Sequence, residues 1–184
     1  SAASDVYKRQ VMVATMFAWI MALLLRLQPM DFEDLNLTPV LHLILRLIMS
    51  FFGVFGFSIM FNSPAPMAAT AALIGAIANS LRLELVDLTG MPAPAAAFAG
   101  ALTAGLLASF IKENNGYPRI SLTVPSIVIM VPGLYLYRAI YNFGIMALSD
   151  AVSWFASAIM IIIALPLGLI FARILTDKTF RYCT

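Results

Sequence analysis

The sequence predicts an all-α, polytopic membrane bundle of six helical spans, the first incomplete and the fifth broken by proline and glycine. Three observations carry this. Of 184 residues, 62% are hydrophobic and 11% charged, with a mean hydropathy of +0.95, whereas a soluble domain is about half apolar and a quarter charged. The charges lie between long charge-free runs, and a hydrocarbon core of about 30 Å needs roughly 20 helical residues to cross it. Those runs lack the two-residue alternation of a barrel strand, and a helix satisfies its own backbone in lipid.

Composition also excludes function classes. With 11 basic and 9 acidic residues, a net charge of +2, there is no basic surplus to spread over a nucleic-acid-binding face. Cys183 and His42 are each the single residue of their type, so no disulfide framework or common zinc site is expected, and no metal or cofactor is implied. H-E-x-x-H, G-x-S-x-G and the P-loop are missing, and polar residues at membrane depth are too few for a hydrolytic site. An enzyme is not expected.

Taken in order, residues 1–10, "SAASDVYKRQ", resemble the translation of a transposase adapter end used in sequencing libraries, and are set apart as an artefact. On that reading the coding sequence is cut and upstream sequence is missing. Residues 11–28 hold a span whose charge-free run, Val11 to Leu25, is only 15 residues. Residues 29–41, with "DFEDLN", form an acidic linker. Leu47 to Leu81 is charge-free for 35 residues, too long for one crossing, and "NSPAP" at 62–66 divides it into a tight hairpin. Leu88 to Ile111, Ile120 to Tyr137 and Ala151 to Ala172 supply the remaining spans. Asp150, just before the last run, is expected to cap that helix, and Pro166 with Gly168 to kink it. A short basic tail closes the chain at 177–184.

Loop charges orient the bundle. Lys112, Arg119, Arg173, Lys178 and Arg181 fall on one side, and Arg26, Arg46, Arg82 and Arg138 on the other. Three of the first group cluster in or beside the tail, so the positive-inside rule places the tail and the "KENNGYPR" loop in the cytoplasm and the acidic linker outside. Helix contacts are legible as small residues at four-residue spacing: Ala68, Ala72, Ala76 and Ser80 in span three, and Ala96, Gly100 and Ala104 beside Ala97, Ala101 and Gly105 in span four. Such faces let backbones approach closely.

The fifth span, "TVPSIVIMVPGLYLYRAIYN" at 123–142, carries the strongest signal. Pro125 and then Pro132-Gly133 should interrupt it near mid-membrane, where open backbone is tolerated only if buried in protein or lining a watery cavity. A half-helix starting near Gly133 would aim the N–H groups of Gly133 and Leu134, and its positive dipole end, at a carboxylate. Arg138 follows as a nearby positive charge, with Tyr135 three residues before it and Asn142 four after, on a shared face. Pro132, Gly133, Leu134, Tyr135, Tyr137, Arg138 and Asn142 are therefore the candidate substrate-binding set. The same pattern also fits a plain proline kink with Arg138 snorkelling to the outer headgroups.

Other polar residues have two readings each. Arg82, Glu84 and Asp87 end span three either as a solvated helix terminus, with Arg82 paired to Asp87 or to neighbours, or as candidates for proton coupling. His42, four residues from Arg46, is a proton relay or an interfacial histidine. Asn62, with Pro64 at the same hairpin, reads first as a helix-end cap.

The order "GFSIMFNSP", "ALIGAIANSLR", "AAAFAGALTAGLLAS" and "VPSIVIMVPGLYLYRAI", closed by an apolar span and a basic tail, resembles the C-terminal half of the threonine/serine exporter family, including its small split-subunit inner-membrane members. The resemblance covers roughly Leu41 to Asp177. It implies a five-span membrane domain over 42–176 that acts as a proton-driven secondary exporter of small polar metabolites, threonine and serine in the named members. An N-terminal half, fused or separate, is the implied partner, and Val11 to Leu27 would be the last span of a fused one. A homo-oligomer is compatible with it. The motif positions carried over are Asn62, Pro64, Pro125, Pro132, Gly133, Tyr137 and Arg138, without individual roles. Some split members are associated with dicarboxylate export, so succinate is an alternative substrate. A non-transporting scaffold subunit is the rival from another class. A channel lacks a visible ring of lining charges or carbonyls.

Overall fold

The computed structural model describes residues 2–27 and 37–177. Every regular element among them is a helix. The chain divides into two units, Ser1–Asp34 and Leu35–Thr184. The first holds α1 (Ala2–Leu24), which runs without interruption through the residues read as an adapter artefact. Its apolar part, Met12–Leu24, is shorter than a crossing. The expected acidic linker and basic tail fall largely on residues 28–36 and 178–184, outside the described residues.

The second unit contains α2 (Pro39–Met60), α3 (Ala65–Thr89), α4 (Ala93–Asn115), α5 (Arg119–Val128), α6 (Gly133–Gly144) and α7 (Leu148–Thr176). Four of these are long and apolar enough to cross a membrane, and the count is five where α5 and α6, bent by 41° at their break, form one span. Most helix ends outrun the charge-free runs, α4 excepted at its start, Ala93, five residues after Leu88. α2 begins eight residues before Leu47 and α3 extends past Leu81 to Thr89, because paired charges are tolerated on the outer turns of a helix.

Local chemistry sets the boundaries. Pro39 opens α2 at a position whose N–H would have no partner. Asn62 closes it with φ +62°, and Asn62 N and Ser63 N donate to Ile59 O and Ser58 O. This is a Schellman cap with asparagine in the left-handed position, as the capping reading expected. Pro64 then precedes the first turn of α3, and Gly90 ends α3 at φ +65°. Asp150 is not the cap of α7: Ala147 occupies that position, and Asp150 sits inside the first turn, where its charge suits the positive helix end.

α7 packs most extensively on α4, α2 on α3, and α6 on α7, while α5 lies against α2, α3 and α4. The break therefore hands the fifth crossing from the α2–α3–α4 side to α7. The core is built from small residues, including Ala71, Ala78, Ala97, Ala101, Ala104 and Ala108, around Ile74, Leu122, Met130 and Ile161. A Cβ on Gly168 would stand 2.6 Å from Phe98 O, and one on Gly105 2.5 Å from Ala172 Cβ. α7 runs as one helix through Pro166, and Gly168, named with Pro166 for a second kink, serves the close approach of α4. Large apolar residues on α2 and α7, such as Phe52, Met49, Phe155 and Ile163, stay exposed, as suits lipid-facing surfaces.

Candidate functional site

The site is built by how the backbone leaves α5 and enters α6. Pro125 does not interrupt the helix as expected: it is buried inside α5, which continues to Val128. There Ser126 Oγ bonds Ala71 O of α3 at 2.9 Å and Leu122 O of its own helix at 2.6 Å. The interruption comes at Pro132, with φ −80° and ψ 54°, and Gly133 N donates to Val131 O at 2.8 Å. This is an inverse γ-turn. Met130 N and Val131 N close tight turns onto Ile127 O and Val128 O, and the next donor, Leu136 N, reaches back to Pro132 O.

Backbone accounting then identifies the open groups. The Gly133 N–H is occupied, so Leu134 and Tyr135 are the donors left without a backbone partner in the first turn of α6. On the acceptor side, the carbonyls of Ile129 and Met130 receive no backbone N–H from the described residues. Met130 and Pro132 are buried, whereas Val131, Gly133 and Leu134 face outward. Nothing lies within 4 Å of a Cβ built on Gly133.

α6 continues as a helix to Gly144, with Arg138 midway along it. Its guanidinium carbon lies 4.7 Å from the centre of the Trp154 ring on α7, within cation–π range, and Tyr135 meets the same indole edge-on at 5.3 Å. Asn142 Nδ2 donates to Arg138 O at 2.8 Å. Tyr135 and Arg138 thus share the α7-facing side, while Tyr137 is exposed.

A second group reaches the break from α3. A Cβ on Gly100 of α4 would meet Ala78 O at 3.1 Å, Arg82 Cβ at 3.1 Å and Met130 Sδ at 3.2 Å, so three elements converge on one glycine. The expected pairing of Arg82 with Asp87 is not formed. Arg46 of α2 takes both carboxylates instead, Nη1 bonding Glu84 Oε1 at 2.8 Å and Nη2 bonding Asp87. His42, four residues earlier, is exposed, and Asn62 and Pro64 remain at the hairpin.

Sequence reasoning missed Trp154, Gly100 and Met130. Trp154 had a usable signal as one of only two tryptophans. The other two gain their roles only through the packing of α3, α4 and the break.

The family model described as "Threonine/Serine exporter, ThrE" matches residues 46–175, which takes in α2 from Arg46 through nearly all of α7. No curated protein and no solved structure matches.

Proposed function

The chain belongs to the threonine/serine exporter family, and on that premise we propose that it is the C-terminal half of a secondary exporter in the bacterial inner membrane. It moves threonine or serine outward at the expense of the proton gradient. It works with an N-terminal half, either fused upstream, with Val11 to Leu27 as that half's last span, or supplied as a separate subunit. Its C-terminus lies in the cytoplasm. The observation that carries the reading is the broken fifth crossing: Arg119–Val128 and Gly133–Gly144 meet at 41°, with unpaired carbonyls on one side of the break and open N–H groups on the other. Discontinuous helices of this kind offer the two poles that a zwitterion needs. Glu84, Asp87 and His42 are the titratable candidates for coupling.

Export of a dicarboxylate such as succinate is favoured by one feature: two arginines flank the break, Arg138 of α6 stacked on Trp154 and Arg82 of α3, whose stem meets Gly100 beside Met130. Two guanidinium groups suit two carboxylates.

The test is efflux of labelled threonine, serine and succinate from loaded cells expressing the chain with its N-terminal half. Faster loss of threonine and serine than with the N-terminal half alone, abolished by a protonophore, is expected. No acceleration of any of the three overturns the proposal, and acceleration of succinate alone moves the assignment to the dicarboxylate.

A further inference from the structure

Arg82 is the least reconciled charge in the bundle. Its Nε is buried and has no hydrogen-bond partner. Among the described residues it forms no ion pair. The two carboxylates within five residues of it, Glu84 and Asp87, are both held by Arg46 on the α2 side. A lysine in this position could shed its proton, but a guanidinium cannot. Its charge therefore persists in a setting where burial without a partner is costly.

The neighbourhood brings the Arg82 stem and the Met130 side chain to the same glycine of α4. Gly100 is the only residue type that fits between Ala78 O, the Arg82 stem and Met130 Sδ without displacing one of them, each lying 3.1–3.2 Å from a notional Cβ. Met130 is fully buried and belongs to the turn whose carbonyls, with those of Ile129, lack backbone donors. An arginine without an ion pair among the described residues thus shares a neighbour, Gly100, with the side chain of the turn whose carbonyls lack backbone donors. Arg82 keeps its proton and cannot serve as a relay, so charge pairing is the chemistry open to it.

We propose that Arg82 is the carboxylate-binding residue of the transport site, its guanidinium pairing with the carboxylate of the solute while the carbonyls of Ile129 and Met130 receive an ammonium group where the solute carries one. The proposal rests on the exporter reading and names the solute class, a small carboxylate. It assigns substrate pairing to Arg82 and leaves Arg138 stacked on Trp154.

The experiment compares the wild type, R82Q and R82K as full chains with the N-terminal half. It reads efflux of threonine, serine and succinate, and separately the thermal shift of the detergent-purified protein with each solute. R82Q should lower efflux of carboxylate solutes at least about thirtyfold and lose the solute-dependent thermal shift. Its melting temperature without solute should be unchanged or raised, because an unpaired buried charge has been removed. R82K, which keeps the charge and loses the bidentate fork, should raise KM with kcat nearly retained. Efflux and thermal shift in R82Q equal to wild type overturn the proposal, as does a solute-free R82Q that melts well below wild type. If R82Q does not insert, R82K decides, and an unchanged KM refutes the role. A wild type that exports none of the solutes overturns the exporter reading; the thermal shift then judges Arg82 alone, and equal shifts in wild type and R82Q reject it. A shift or efflux restricted to succinate identifies the dicarboxylate as the source of the carboxyl group.

Discussion

Arg46 on α2 meets Glu84 on α3 at 2.8 Å and holds Asp87 with its other terminal nitrogen. One guanidinium therefore fastens the outer ends of two helices, and both carboxylates depend on it. Replacing Arg46 by Ala leaves two like charges a turn apart on α3 with no cation from α2. The expected loss is about 1–3 kcal/mol, read as a lower melting temperature in detergent. The double variant Glu84→Gln with Asp87→Asn in the Arg46→Ala background should recover most of it.

Glycines at two contacts should answer substitution differently. Gly168→Ala drives a Cβ toward Phe98 O and Leu102 N, at 2.6 and 2.9 Å, which are backbone atoms that cannot turn aside. Separation of α4 from α7 should cost about 1–3 kcal/mol. Gly133→Ala meets nothing within 4 Å and should fold normally, so that any loss of export in that variant reports on the break itself.

Ser126 ties α5 to α3 through Ala71 O. Ser126→Ala should cost about 0.5–1.5 kcal/mol and loosen α5 while leaving α6 on α7. Hydrogen exchange would show faster exchange confined to residues near 119–128. Uniform loosening of the whole bundle would contradict this.

Met146 stands at φ +61°, with Met146 N and Ala147 N bonded to Phe143 O and Asn142 O. This Schellman cap has a methionine where glycine is the favoured residue. Its side chain is 80% exposed, so Met146→Gly loses little packing and relieves about 1 kcal/mol of left-handed strain. The variant should melt higher than wild type.

Trp154 carries both the Tyr135 edge contact and the Arg138 stack. Trp154→Ala should reduce efflux and cost about 1–3 kcal/mol, whereas Trp154→Phe should retain part of both. Equal efflux in all three proteins would remove α7 from the transport site.

Much of this protein is legible in one dimension. Burial in lipid forces backbone hydrogen bonds to close within the segment, so apolar runs, prolines and small-residue spacings already specified the helices, the "NSPAP" hairpin, the α4 packing face and the interruption at Pro132-Gly133. Boundaries read from charge alone were too short, because a helix can carry Arg46, Arg82, Glu84 and Asp87 on its outer turns. What the linear order left open was which charge answers which. Asp87 is five residues from Arg82 in the chain, yet it pairs with Arg46, 41 residues away, because α2 docks on that face of α3, while the Arg82 stem packs at Gly100 of α4. Likewise Pro125 and Pro166 look the same as Pro132 in sequence. Neighbouring helices hold the first two within continuous helix, whereas Pro132 falls where the chain passes from one set of neighbours to α7, and only there does the backbone open.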